Sequence, residues 1–148
     1  MSYATADQLI DRLGTREAAA ISRATNGVPD EAVLAEALAL ASEEVDAYVG
    51  RRYLLPLTSA DTGAAALPTI LQRVAIDIAR YRQTGTEIME TETIRTRYKD
   101  AVKLLEQISR GEVSIGGMVL AASGGAAATS GSSAVRTGTK SFDMDQVL

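Results

Sequence analysis

Apolar residues recur at intervals of three and four over most of residues 1–111, the spacing of helices that each bury one face. The first stripe is Leu9, Ile10 and Leu13. It follows Thr5, whose hydroxyl can accept from the free amides of a first helical turn, and Asp7 suits the positive end of that helix. Gly14 ends it. Thr15 can cap a second short helix, expected to run to about Thr25 before an Asn26-Gly27 turn. Asp30 caps a long helix to about Arg52, with Leu34, Leu38, Ala41, Val45 and Tyr48 as one continuous seam. Pro56 forbids helix in the apolar stretch that follows, and residues 58–67 read as a loop. Pro68 opens another helix, to about Gln83, with Ile70, Leu71, Val74, Ile78 and Tyr81 facing inward. A last helix, from about Glu90 to Ser109, repeats the four-three seam through Ile94, Tyr98, Ala101, Leu105 and Ile108, and Gly111 stops it. The expected core is Tyr48, Leu71, Val74, Ile78, Tyr98 and Leu105, buried together.

The pattern changes after Gly111. Val113 to Ile115, Gly116-Gly117 and Met118 to Leu120 read as a small β-hairpin with a two-residue turn. Residues 121–134, AASGGAAATSGSSA, are low in complexity and cannot build a core. The final SFDMDQVL alternates, with Phe142, Met144 and Leu148 on one side and Asp143 and Asp145 on the other. That is a strand pattern without a local partner. Such a tail is either unstructured or an arm that adds to another subunit as a strand, and the alternation favours the arm. Phe142, Met144, Val147 and Leu148 are its expected anchors. The predicted architecture is therefore all-α: a bundle of four to five helices over residues 1–111, a hairpin over 112–122, and an extended Gly/Ser/Ala-rich arm over 123–148.

Composition narrows the function. The chain has 148 residues, no cysteine and no histidine. Disulfides, thiolate nucleophiles, Cys/His zinc sites and imidazole bases are excluded, while carboxylate and lysine chemistry is not. A net charge of −4 gives no overall basic footprint for duplex DNA. No apolar run reaches membrane-spanning length, and the N-terminus lacks the basic start and apolar centre of a signal peptide.

Three groups of residues deserve a chemical reading. Glu43, Glu44 and Asp46 can be a metal or acid–base cluster, but neighbours on a helix diverge, so a solvated face is the simpler account. Arg80, Tyr81 and Arg82 can contact phosphate; Tyr81 in the core with flanking surface arginines is the plainer reading. Arg73, Asp77 and Arg80 share another helical face, where Asp77 can pair with both arginines, each exposed pair contributing about 0.2–0.5 kcal/mol. The paired glycines at 116–117 and 124–125 sit in no GxxxxGK[ST] loop. No catalytic set, metal site or cofactor site emerges, and the chain is expected not to be an enzyme.

Four segments carry a family resemblance. Tyr3-Ala4-Thr5 to Leu9 is the first, and Asp46-Ala-Tyr48-Val-Gly-Arg-Arg52-Tyr53-Leu-Leu-Pro56-Leu57 the second. Residues 68–81 follow, as P-x-x-L-x-R-x-A-x-D-I-A-R-Y, then Arg97 to Gly111 with the short Ser114-Ile115-Gly116. Over about residues 3–117 the chain resembles the head-completion or head–tail connector (neck adaptor) proteins of Mu-like phages. The resemblance implies a helical subunit of a ring, dodecameric, lying beneath the portal protein and above a downstream stopper or tail protein. It implies DNA passing through the ring without sequence recognition, no membrane partner, no cofactor and no enzymatic activity. It also implies assembly in the host cytoplasm and a final location in the virion neck. The alternative from another class is an intracellular helical protein-interaction or regulatory module; a weak carboxylate enzyme is a distant third.

Overall fold

The computed structural model describes residues 1–85 and 90–122. The arm anchors Phe142, Met144, Val147 and Leu148 lie outside the described residues. Five helices form the body: α1 (Ala6–Leu13), α2 (Thr15–Ile21), α3 (Glu31–Val49), α4 (Thr69–Thr84) and α5 (Glu92–Arg110). The described part is all-α.

The caps account for most of the boundaries. The Thr5 side chain accepts from the Gln8 amide while the Gln8 side chain returns to the Thr5 amide, a reciprocal capping box. Asp30 accepts from the amides of Ala32 and Val33 at the start of α3. Gly111 closes α5 in the left-handed conformation, with φ 79°. Helix α2 stops short of Thr25, because Arg23 already takes a positive φ of 57°. The last helix starts at Glu92, not Glu90, with Thr91 as its cap.

Helix α3 packs against α1, α4 and α5, and α4 packs against α5. Leu34, Leu38, Ala41 and Val45 of α3, Leu71, Val74 and Ile78 of α4, and Leu105 and Ile108 of α5 are buried in one cluster. Tyr48 and Tyr98 are half-buried against it. A fully buried Leu or Ile side chain contributes about 1.5–3 kcal/mol relative to exposure, so this cluster dominates stability. Tyr3 joins the core through two bonds to α3: its amide donates to Ser42 Oγ at 3.0 Å and its hydroxyl to Asp46.

Helix α4 departs from the expected pattern. Every residue from Val74 to Ala79 is buried, Asp77 included, whereas Ile70 is 42% exposed. Helix α4 is contacted by α2, α3 and α5, so a position on its polar face can be covered too, and periodicity then no longer marks which positions are inside. Asp77 and Arg80 are accordingly not an exposed pair. Arg80 reaches α2, where its Nε lies 2.5 Å from Glu17 Oε1, and among the described residues Asp77 pairs only with Arg73, at 3.9 Å.

The expected hairpin does not form. No strand occurs among the described residues, and Met118 to Leu120 makes isolated antiparallel bridges to the segment after α3: Tyr53 with Leu120 and Ser59 with Met118. The Ile115 amide donates to the Tyr53 hydroxyl at 2.7 Å, which ties the chain after α5 to the chain after α3. An alternating segment needs a neighbour for its backbone, and here the neighbour is distant in sequence.

Candidate interaction surfaces

The sequence singled out charged groups on α3 and α4, and the fold disperses or neutralises most of them. Glu44 of α3 faces Arg82 of α4 and Tyr98 of α5. Arg82 Nη2 donates to Glu44 Oε2 at 3.0 Å and to the Tyr98 hydroxyl at 3.3 Å. The Tyr81 and Tyr98 rings stack with centroids 4.1 Å apart, and the Arg82 guanidinium lies 5.6 Å from the Tyr98 centroid. The bond to Glu44 raises the Arg82 pKa, and burial followed by the Glu44 charge raises that of the Tyr98 phenol. This clasp joins three helices. Its charges are answered inside the body, so Arg80, Tyr81 and Arg82 do not present a free phosphate-binding group.

The three carboxylates of α3 separate in the same way. Glu44 belongs to the clasp, Asp46 accepts from the Tyr3 hydroxyl, and Glu43 is exposed. Burial first, then the bond to Asp46, pushes the Tyr3 phenol well above its ordinary pKa. Among the described residues no group of three or more Asp, Glu, His or Cys is arranged to hold a metal ion.

Two other surfaces remain. The first is an apolar edge. Backbone pairing between the chain after α3 and the chain after α5, including the Leu54 amide to the Val119 carbonyl at 3.0 Å, carries three exposed leucines. Leu54 is 50% exposed, Leu55 36% and Leu120 55%. Single exposed leucines are ordinary on a protein surface, and three close together on one stretch of paired backbone make a candidate contact edge.

The second is a groove between α4 and α5 of about 180 Å³, lined by Ile70, Arg73, Asp77, Arg97, Asp100 and Leu104 among others. A shallower depression on the far side of Ile70 and Arg73 adds Arg12 from α1. Asp77 forms the floor. Its Oδ1 is buried and has no hydrogen-bond partner among the described residues. Burial raises its pKa, against the pull of Arg12, Arg97, Arg73 and Arg80. Among the described residues Arg12 and Arg97 make no ion pair. Sequence reasoning missed this groove because it placed Asp77 outside and Ile70 inside. Thr69, Arg73, Asp77 and Arg80 fall on one polar face of α4, so no local signal marks Asp77 as buried.

Among the described residues no helix is long and apolar enough to cross a membrane. Known proteins resemble the chain over most of its length. The family model described as Bacteriophage Mu, Gp36 matches residues 3–136. Gene product J of Escherichia phage Mu is 34% identical over 118 residues, 78% of this chain and 77% of that protein. The Mu-like prophage FluMu protein gp36 of Haemophilus influenzae is 37% identical over 87 residues, 59% of this chain and 55% of its relative.

Proposed function

The chain belongs to the bacteriophage Mu Gp36 family, and we propose that it is a structural subunit of the phage neck, an adaptor that joins head to tail. In this reading copies form a closed ring, dodecameric by family resemblance, between the portal protein and a downstream stopper or tail protein. DNA passes through the centre, and the subunit catalyses nothing. The virion neck is its final location.

The observation that carries this reading is the presence of two unlike surfaces on one small helical body. The apolar edge of Leu54, Leu55 and Leu120 shares no residue with the charged groove of Arg73, Asp77 and Arg97. A ring is built on head-to-tail contacts, in which one patch of a subunit meets a different patch of the next, so a subunit with distinct surfaces suits it. A two-fold dimer would use one patch twice. A net charge of −4 also suits a channel along which DNA slides without being held, since strong phosphate binding demands clustered Lys and Arg.

The test is imaging of purified particles of the parent phage, with the subunit located by a tag at its N-terminus. The expected result is a ring of this protein between portal and tail. Its absence from mature particles, or its presence as isolated two-fold dimers, overturns the reading. Contacts with DNA are expected to be independent of sequence; tight binding of the free subunit to one particular duplex at high salt would contradict it.

A further inference from the structure

We infer that the groove between α4 and α5 is the receptor for residues 141–148 of a second copy of this chain. The inference rests on the ring reading, since it assigns the contact that links one copy to the next.

The groove asks for an occupant of a particular chemistry. Asp77 lines the groove, but its unpartnered Oδ1 is enclosed, so the demand on an occupant comes from the side chains that the groove exposes. Around Asp77 stand the guanidiniums of Arg73 and Arg97, with Arg12 in the adjoining depression. Arg73 pairs with Asp77 and Asp100 also lines the groove, which leaves Arg97 and Arg12 without an ion pair among the described residues. The occupant should therefore carry carboxylates that reach these two arginines. Ile70, 42% exposed, and the half-buried Leu104 add an apolar wall, so it should carry apolar side chains as well.

The segment SFDMDQVL meets both demands. It contains no proline, and in an extended strand Phe142 and Met144 fall on one side and Asp143 and Asp145 on the other. Acid–base complementarity would fix its register while the apolar side chains fill the groove. Size agrees. A cavity of about 150 Å³ holds a benzene ring, and the groove measures about 180 Å³. It can take one phenyl ring, and Phe142 is the only phenylalanine of the chain.

Reach agrees too. Residues 123–140 separate the described body from the segment, and a stretch of that length spans up to about 60 Å when extended. A folded body of this size is only about 35 Å across. A spacer longer than the body it leaves is suited to an adjoining copy.

The test uses the full chain, whose lack of cysteine gives a clean background. Asp100→Cys puts a thiol on the groove lip and Gln146→Cys puts one in the segment. The double variant is assembled, oxidised and run without reductant, and the same preparation is imaged for rings. The inference expects a ladder of disulfide-linked copies. It also expects a cross-linked heterodimer when the two single variants are mixed. Asp143→Lys with Asp145→Lys should cut the yield roughly tenfold by setting like charges against the arginines. Arg73→Glu with Arg97→Glu in the same chain should restore it. A fast-migrating monomer, in which the disulfide closes within one chain, overturns the second-copy assignment. Rings without any disulfide overturn the groove assignment and leave the ring reading standing. A ladder without rings upholds the groove contact and overturns the ring.

Discussion

Replacing Gly111 with alanine makes two separate demands on the chain, and the structure allows each to be weighed. Gly111 ends α5 with φ 79°, where an L-residue pays roughly 1–2 kcal/mol. A Cβ there would also stand 1.8 Å from Arg52 Nη1 and 2.7 Å from its Cζ, so the guanidinium must leave its place against the helix end. Arg52 is half-buried and its Nε is fully enclosed, which makes that displacement resemble overpacking, at about 1–3 kcal/mol. Gly111→Ala should thus cost about 2–5 kcal/mol by adding the two. Gly117 supplies the control: its φ is also positive, 72°, but nothing lies within 4 Å of a Cβ built there. Gly117→Ala should cost only the backbone part, about 1–2 kcal/mol. Urea denaturation of the full chain, followed by far-ultraviolet circular dichroism, measures both. The decisive comparison is a double-mutant cycle with Arg52→Ala, in which Gly111→Ala should cost no more than Gly117→Ala. Equal costs for the two glycines in the parent, or no coupling to Arg52, would refute the argument.

Three further outcomes follow from the core, the groove and the arm. Leu105 is fully buried, so Leu105→Ala should lose about 2–5 kcal/mol in the same denaturation experiment; a loss below 1 kcal/mol would mean that the helices collapse to fill the gap. Burial holds the Asp77 carboxyl above its ordinary pKa in the folded subunit, so the folded state binds more protons than the unfolded chain in that window and stability falls as pH rises through it. Asp77→Asn should therefore be more stable than the parent at pH 7, with the gap closing below about pH 4, where the unfolded carboxyl is also protonated; thermal melts across that range check it, and a less stable variant at pH 7 contradicts it. Deleting residues 135–148 should leave the melting temperature of the subunit nearly unchanged while preventing its stable attachment in particles; unfolding of the truncated chain would show that the arm packs on its own body.

Local chemistry was the legible part of this sequence. Thr5, Asp30 and Gly111 announce helix ends because their side chains, or the lack of one, satisfy backbone groups within a few residues. The seams of α3 and α5 were legible because large apolar side chains recur at spacings of three and four and are buried where that spacing puts them: Leu34, Leu38 and Val45 on α3, and Ile94, Leu105 and Ile108 on α5. The chain after α5 was not, because alternation reveals that a strand-like segment wants a partner but not where the partner is. Its partner lies around Tyr53, and the bond from the Ile115 amide to the Tyr53 hydroxyl links residues 62 positions apart. Nor did any local rule mark Tyr3 and Tyr53 as core residues: each is 2% exposed because its hydroxyl finds a partner from a distant part of the chain.

The failures on α4 differ in kind, and they bear on function. Periodicity placed Ile70 inside and Asp77 outside; the fold has them the other way round, and both line the same groove. An exposed isoleucine leaves apolar area in water, and a buried carboxylate oxygen without a partner carries the desolvation cost of an unmade hydrogen bond, about 1–3 kcal/mol. Two local costs of opposite type at one place are hard to explain by packing within a single subunit, since exchanging the two characters would relieve both. The first is relieved if another chain covers the groove and places apolar side chains on Ile70, while Asp77 Oδ1 is already enclosed by its own subunit. Sequence rules fail most informatively where a surface is completed by something other than its own chain. On α4 Arg73 already pairs with Asp77, and Asp100 adds a second carboxylate to the same lining, so the charge left for an occupant to answer is that of Arg97, which has no ion pair among the described residues.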